Sequence, residues 1–253
     1  MKAISFKLSG KTACFRKPDV NVYTYFTYNN IHKPALLGLL GAIIGLGGYT
    51  QLHDENERLK KEKKSLKEGY PEFYEKLRHL KISITPLAPN GYFSKKIQTF
   101  NNSVGYASFE QGGNLVVREQ WLENPQWQIM ILDDGSDEFQ KINEYLINGK
   151  SIFIPYLGKN DHPAKIENIE FLEGKEPLEG IKISSLFDES KLQISKIAPR
   201  GELSYYFKEM SPIHLQSEFH FYEYAPLVFT NHKIESGDFD NVYSLGGQNY
   251  AFI

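Results

Sequence analysis

Tyr28, His32 and Lys33 fall within one six-residue stretch, and Arg16 and Lys17 stand shortly before it. These residue types suffice for cutting RNA without a metal. A base activates the ribose 2′-hydroxyl and a cation stabilises the charged phosphorane. The same five side chains also suit a milder task, holding RNA through phosphate contacts and stacking. A plainer reading has Tyr28 and His32 simply packing the loop.

The elements that must position this cluster are legible on either side of it. Pro34 is a good first-turn residue, because its missing N–H has no intrahelical partner there. Residues 34–46 then read as a small-residue apolar helix with Gly38, Gly41 and Gly45, ended by Gly47-Gly48. The glycines predict a backbone lying close against a sheet. The helix N-terminus is expected to aim its free N–H groups at the loop carrying Arg16, Lys17, His32 and Lys33, which suits an anion. Before the loop, Lys2–Leu8 alternates as a strand, with Ile4, Phe6 and Leu8 on one side.

Beyond the helix, residues 54–69 read as a solvated helix, Pro71–Leu80 as a short helix and Lys81–Leu87 as a strand. Two alternating runs around a glycine-containing tip predict a projecting β-hairpin over about 90–124. Lys95, Lys96, Phe100 and Arg118 on it are placed to touch a nucleic-acid backbone or stack on a base. Equally, these charges suit an ordinary hairpin that blunts its exposed edges. Trp127–Leu132 reads as a strand, and Asp133-Asp134 fits capping of a helix over 136–147 that turns Phe139, Ile142 and Leu146 inward. Ser151–Pro155 reads as a further strand.

Without the hairpin and the charged insertion, the order is β-α-β-β-α-β, the ferredoxin-like order shared by RNA-recognition folds. Short strands at Lys165–Leu172, Ile181–Leu186, Leu203–Phe207 and Gln216–Tyr224 follow. The expected class is therefore α+β. It comprises a ferredoxin-like, RNA-recognition-type domain over 1–163 with a thumb-like hairpin, and a small β-rich C-terminal domain over 164–253.

Charge distribution narrows the partners. The net charge of the 253 residues is −2, yet residues 1–53 carry +5, residues 54–160 balance, and residues 161–253 carry −7. That asymmetry fits a polyanion on one face and other partners elsewhere. Cys14 is the single cysteine, so an intrachain disulfide is excluded and a reducing compartment is expected. The N-terminal stretch lacks the apolar region of a signal peptide, and the apolar run Ala35–Tyr49 is short for a membrane span. A cytoplasmic location with no membrane partner is the expectation. Phosphate-loop, dinucleotide-binding, zinc-protease and serine-elbow motifs are missing, and the seven histidines lack metal-ligand spacing. No cofactor or metal is expected.

Four stretches carry a family resemblance. They are Gly10-x-x-Ala13-x-Phe15-Arg16-x-Pro18, Thr27-Tyr28-x-x-Ile31-x-Lys33-Pro34-Ala35-Leu36-Leu37-Gly38-Leu39-Leu40-Gly41-Ala42-Ile43, Val117-Arg118-Glu119-Gln120-Trp121-Leu122-x-x-Pro125, and Pro155-Tyr156-Leu157-Gly158-Lys159. In these the chain resembles the Cas-five family of CRISPR-associated proteins, with type I-B the most similar variety. The resemblance covers residues 1–160 well and the remainder weakly.

It implies a non-catalytic RNA-binding subunit of a type I CRISPR Cascade complex, a ribonucleoprotein of antiviral defence. Such a subunit caps the 5′ handle of the CRISPR RNA (crRNA) and helps assemble the repeated backbone subunit and the large subunit. Target DNA is then met indirectly. Arg16, Lys17, Tyr28, His32 and Lys33 are expected at the handle, with Lys95, Lys96, Phe100 and Arg118 gripping the RNA from the thumb. The alternative is a metal-independent endoribonuclease of the type I-C kind, which processes precursor CRISPR RNA with Tyr28, His32 and Lys33 as its catalytic set. A third class, a membrane-associated or purely protein-binding module, rests only on the apolar run.

Overall fold

The computed structural model describes residues 1–19, 23–103, 105, 109–177 and 181–253. Strand β1 (Lys2–Ser9) follows from its alternation, and Ile4, Phe6 and Leu8 lie in the main core. Its other face is covered as well, with Ala3 and Ser5 both buried. A two-residue strand β2 (Thr12–Ala13) precedes helix α1 (Lys33–Ile44). His32 is the N-cap of α1, and Gly45, in a left-handed conformation, ends it before the Gly47-Gly48 pair. Helix α2 (Tyr49–Lys61) starts earlier than its charged composition predicts and buries no residue.

The short helix α3 (Glu72–Leu77) explains one of the glycines of α1. A Cβ added at Gly41 would lie 2.6 Å from the Cβ of Phe73. The close approach is thus to a helix, not to the sheet that the sequence predicts.

Strand β3 (Ile82–Pro86) is followed by β4 (Lys95–Asn101) and β5 (Val116–Glu123), which form the expected antiparallel hairpin. Lys95 faces Leu122 and Asn101 faces Val116 across it. Val104 and 106–108, at the far end of this excursion, lie outside the described residues. Strand β6 (Gln126–Leu132) leads into helix α4 (Asp137–Ile147). Ser136 caps α4 by accepting from the Phe139 N–H, while Asp133 and Asp134 accept from the Gly135 and Ser136 N–H groups just before it. Phe139, Ile142 and Leu146 face inward, as their spacing predicts.

Ser151–Pro155 is not a strand. The Ile152 and Phe153 N–H groups donate to the Ile43 and Ala42 carbonyls at the end of α1, so this segment closes a helix terminus instead of pairing with a sheet. The strand in the expected fourth place is β7 (Lys165–Lys175). The rest of the chain adds β8 (Phe187–Asp188), β9 (Leu192–Ile194), β10 (Tyr206–Leu215), β11 (Tyr222–Thr230), β12 (Ile234–Gly237), β13 (Val242–Leu245) and β14 (Gln248–Ala251). Gln216–Phe221, expected within a strand, is the turn between β10 and β11.

The fold is mixed α/β and mostly antiparallel. Its largest sheet has the order β14-β13-β7-β1-β6-β3, with every neighbouring pair antiparallel. Smaller sheets are β10-β11-β8, β12-β9 and β2-β5-β4. The expected division at residue 163 runs between strands of one sheet. It also divides one core, because Leu215, Leu227 and Phe229 from β10 and β11 join Leu36, Leu40, Ile129 and Ile142 there. Among the described residues, no single helix is long and apolar enough to cross a membrane.

Candidate nucleic-acid interface

The loop between β2 and α1 folds back on the hairpin. The Tyr25 N–H donates to the Arg118 carbonyl at 2.9 Å, and the Gln120 N–H returns a bond to the Tyr25 carbonyl at 2.8 Å. The loop also pairs with itself. The Lys17 N–H donates to Phe26 O, the Tyr28 N–H donates to Phe15 O, and Thr27 Oγ1 accepts from the Phe15 N–H. On the outer surface the Arg16 guanidinium sits 3.3 Å from the centroid of the Tyr25 ring, a close cation–π stack. Arg16 and Arg118 are exposed, with Tyr23 and Phe26 exposed nearby in sequence. The Arg16–Tyr25 stack is a basic and aromatic strip on the side of Glu119, with which Tyr25 pairs, and Arg118 lies on the opposite side; backbone hydrogen bonds hold the two together.

Alternation along β5 puts Glu119 on the opposite side from Arg118. Glu119 is buried, and both its oxygens accept from Lys159 Nζ while one also accepts from Trp121 Nε1. Burial pushes its pKa up, but these two donors outweigh burial and hold it below the usual carboxylate range. The Trp121 ring meets His162 edge-on at 4.6 Å, and His162 Nδ1 is bonded to Thr12 Oγ1 at 2.7 Å. Gly158 allows the 155–159 turn to reach this place. A Cβ on it would stand 2.0 Å from the Cys14 carbonyl oxygen, and its φ is +86°. Burial pushes the thiol of Cys14 itself up to about 11, so it is no nucleophile.

Tyr28, His32 and Lys33 are interior residues. His32 Nδ1 accepts from the Ala35 N–H, so the side chain fills the helix N-terminus that the sequence leaves open for an anion. Its ring lies among Phe15, Tyr28 and Tyr222, and burial lowers its pKa to about 3. It is therefore neutral. Lys33 Nζ donates to the Ile253 carbonyl at 2.9 Å. Burial first, and then repulsion from Lys191 and Lys81, lowers its pKa to about 8. The Tyr28 hydroxyl donates to the Tyr224 hydroxyl at 3.2 Å, and burial raises its pKa. These three residues lie together around the start of α1, whereas Arg16 faces solvent.

The remaining predicted residues divide between a buried acid and the open hairpin. Lys17 Nζ lies 3.7 Å from Glu209 and 5.1 Å from the centroid of the Tyr28 ring. Glu209 also accepts from the Asn29 N–H, and burial raises its pKa despite Lys17 and Lys95 nearby. Lys95 is half-buried over the Tyr92 ring, Lys96 is exposed 3.9 Å from Glu123, and Phe100 lies between Trp121 and Lys159. Among the described residues, no group of three or more His, Cys, Asp or Glu side chains is placed to hold a metal.

No family model matches the chain, and no curated protein matches its sequence. The chain is similar to a solved CRISPR protein from Archaeoglobus fulgidus, at 12% identity and a TM-score of 0.49 over 99% of this chain and 98% of that one. It is also similar to a solved chain of a CRISPR RNA-guided surveillance complex, at 10% identity and a TM-score of 0.47 over 92% of this chain and 90% of that one.

Sequence reasoning missed Glu119, Lys159, His162, Glu209, Tyr222 and Tyr224. The signal for the first pair was an acid sharing one side of its strand with Val117 and Trp121, and a lysine forty residues later. Nothing local announces Glu209 or the two tyrosines of β11, which reach the site only through the tertiary fold.

Proposed function

We propose that this chain is a Cas-five-like, non-catalytic RNA-binding subunit of a type I CRISPR Cascade complex. The observation that carries the reading is the convergence of the four resembling stretches. Cys14 N donates to Leu157 O, Gly10 N to Pro125 O, and Thr27 N to Gln120 Oε1, while Lys159 pairs with Glu119. Motifs spread over some 150 residues thus build one edge, which carries the Arg16–Tyr25 stack on one side and Arg118 on the other. Exposed cations beside aromatic rings are what a single-stranded RNA contact calls for.

The ferredoxin-like reading belongs to the same proposal. The strand order β7-β1-β6-β3, with α1 and α4 as the intervening helices, supports it. So does the β4–β5 hairpin in the place of a thumb. In this reading the strip holds the 5′ handle of the CRISPR RNA in the cytoplasm, and the type is I-B. The backbone and large subunits meet other surfaces, among them the acidic C-terminal part.

The nuclease alternative has less support from the geometry. Cleavage at Tyr28, His32 and Lys33 needs a base that reaches a 2′-hydroxyl, and His32 is buried with Nδ1 engaged as a helix cap. The test is to incubate purified protein with end-labelled CRISPR repeat RNA in EDTA, beside an Arg16→Ala, Lys17→Ala variant. Intact RNA, bound in preference to a scrambled repeat and lost by the variant, is the expected result. Cleavage leaving a 2′,3′-cyclic phosphate overturns the non-catalytic reading.

A further inference from the structure

The turn between β10 and β11 meets the starts of α1 and α2 in a pocket that the basic strip does not include. It has a volume of about 350 Å³, and its lining includes Pro34, Tyr49, Phe73, Phe219, His220 and Tyr222. Its walls are mostly rings. Tyr49 and His220 stand 5.7 Å apart, and His220 stacks on Tyr70 at 4.9 Å and 30°. Arg78 lies 5.3 Å from the Tyr70 centroid and ends the column with a cation. Phe219 is 62% exposed and Phe221 69%, so the turn presents large rings to solvent.

Two features mark the turn as built for something other than packing. His220 holds a φ of +55°, a left-handed conformation that a glycine would take at lower cost. Its ring is nevertheless kept over the pocket, stacked on Tyr70. The pocket also communicates with the strip. Tyr222 lines it, Tyr224 follows two residues on along the same face of β11, and Tyr224 is bonded to Tyr28, over which Lys17 sits. A run of aromatic side chains, buried at Tyr28 and reaching solvent at Tyr224, therefore links the Lys17 cation to the pocket.

We infer that this pocket takes a single unstacked nucleobase of the RNA whose backbone the strip at Arg16 holds. The inference rests on the RNA-binding reading above. The volume accommodates one base, and three of the lining side chains, His220, Tyr49 and Tyr222, carry polar groups. Aromatic faces serve any base, so the expected contribution is affinity with little sequence preference. A proline or aromatic side chain of a protein partner is the competing occupant.

The test uses the full chain, a 5′-labelled oligoadenylate, and the same strand with one abasic position moved stepwise along it. Phe219→Ala and His220→Gly are both suited to the turn, the first because the side chain is exposed and the second because glycine favours that φ. Each is expected to weaken oligoadenylate binding about ten-fold, within the range for one stacked base. One abasic position should weaken wild type similarly and leave the variants unaffected. Unchanged binding by both variants, with Arg16→Ala still weakening it, overturns the pocket and leaves the strip standing. Loss of protein partners with RNA affinity intact also overturns it. If wild type binds no RNA at all, the RNA-binding reading fails first.

Discussion

Lys159 Nζ lies 2.8 and 2.9 Å from the two carboxylate oxygens of Glu119, across forty residues of chain. The pair fastens the base of the β4–β5 hairpin to the turn that follows α4. Glu119 is almost wholly buried and the Lys159 side chain is 30% exposed, so the acid depends on the base far more than the reverse.

Lys159→Ala leaves Glu119 buried with only Trp121 as a charge-neutral donor. A loss of about 2–3 kcal/mol is expected, below the fully buried case because Lys159 touches solvent. Chemical denaturation measures it. Pairing Lys159→Met with Glu119→Leu should recover much of that loss, since the stranded charge is then gone.

His32 makes stability depend on pH. Its folded pKa of about 3 lies below the unfolded value of 6.5, so the unfolded chain binds the proton first. The contribution is fully present above pH 6.5 and falls as pH drops toward 3, by about 1.4 kcal/mol per pH unit for this one group. His162, lowered by burial and by Lys159, acts in the same direction. His32→Asn keeps a cap acceptor and should flatten the slope of unfolding free energy between pH 6 and 4. An unaltered slope would remove His32 from the account.

Gly41→Ala sets two effects against each other. Alanine favours the helix by roughly 1 kcal/mol, but its methyl would meet Phe73 at 2.6 Å, and overpacking costs about 1–3 kcal/mol. The clash partner is a Cβ close to the α3 backbone and cannot swing aside. Net destabilisation, read as a lower melting temperature, is expected. Gly41→Ala combined with Phe73→Gly, which alone removes that Cβ, should lose the clash.

Arg16→Ala should weaken RNA binding to all sequences alike and reduce the slope of log affinity against log salt by about one. Lys17→Ala should do less, because Lys17 already faces Glu209. Filter binding at four salt concentrations separates the two.

How much of this was legible in the sequence differs by element, for physical reasons. The strand Lys2–Ser9 and helix Asp137–Ile147 carry local periodicity that matches their burial, and both were readable. Ile152-Phe-Ile154 looked like a strand because its composition is that of one. Its N–H groups are claimed by the end of α1, over a hundred residues earlier, and local pattern cannot register that. The site shows the same division. Arg16, Lys96 and Arg118 are exposed, as a nucleic-acid contact requires, but His32 and Lys33 turned inward to cap a helix and hold the Ile253 carbonyl. Residue type gave no warning, since both are chemically suited to either task.

The place of β1 has a consequence for synthesis on the ribosome. It is hydrogen-bonded on one side to β6 and on the other to β7, and β7 in turn carries β13. Because β1 emerges before both partners, it waits for residues 126–132 before one edge is closed, and for 165–175 before the other. Through that interval a nascent chain displays an unpaired, hydrophobic strand edge, the kind of surface that holdase chaperones cover and that seeds aggregation when they are scarce.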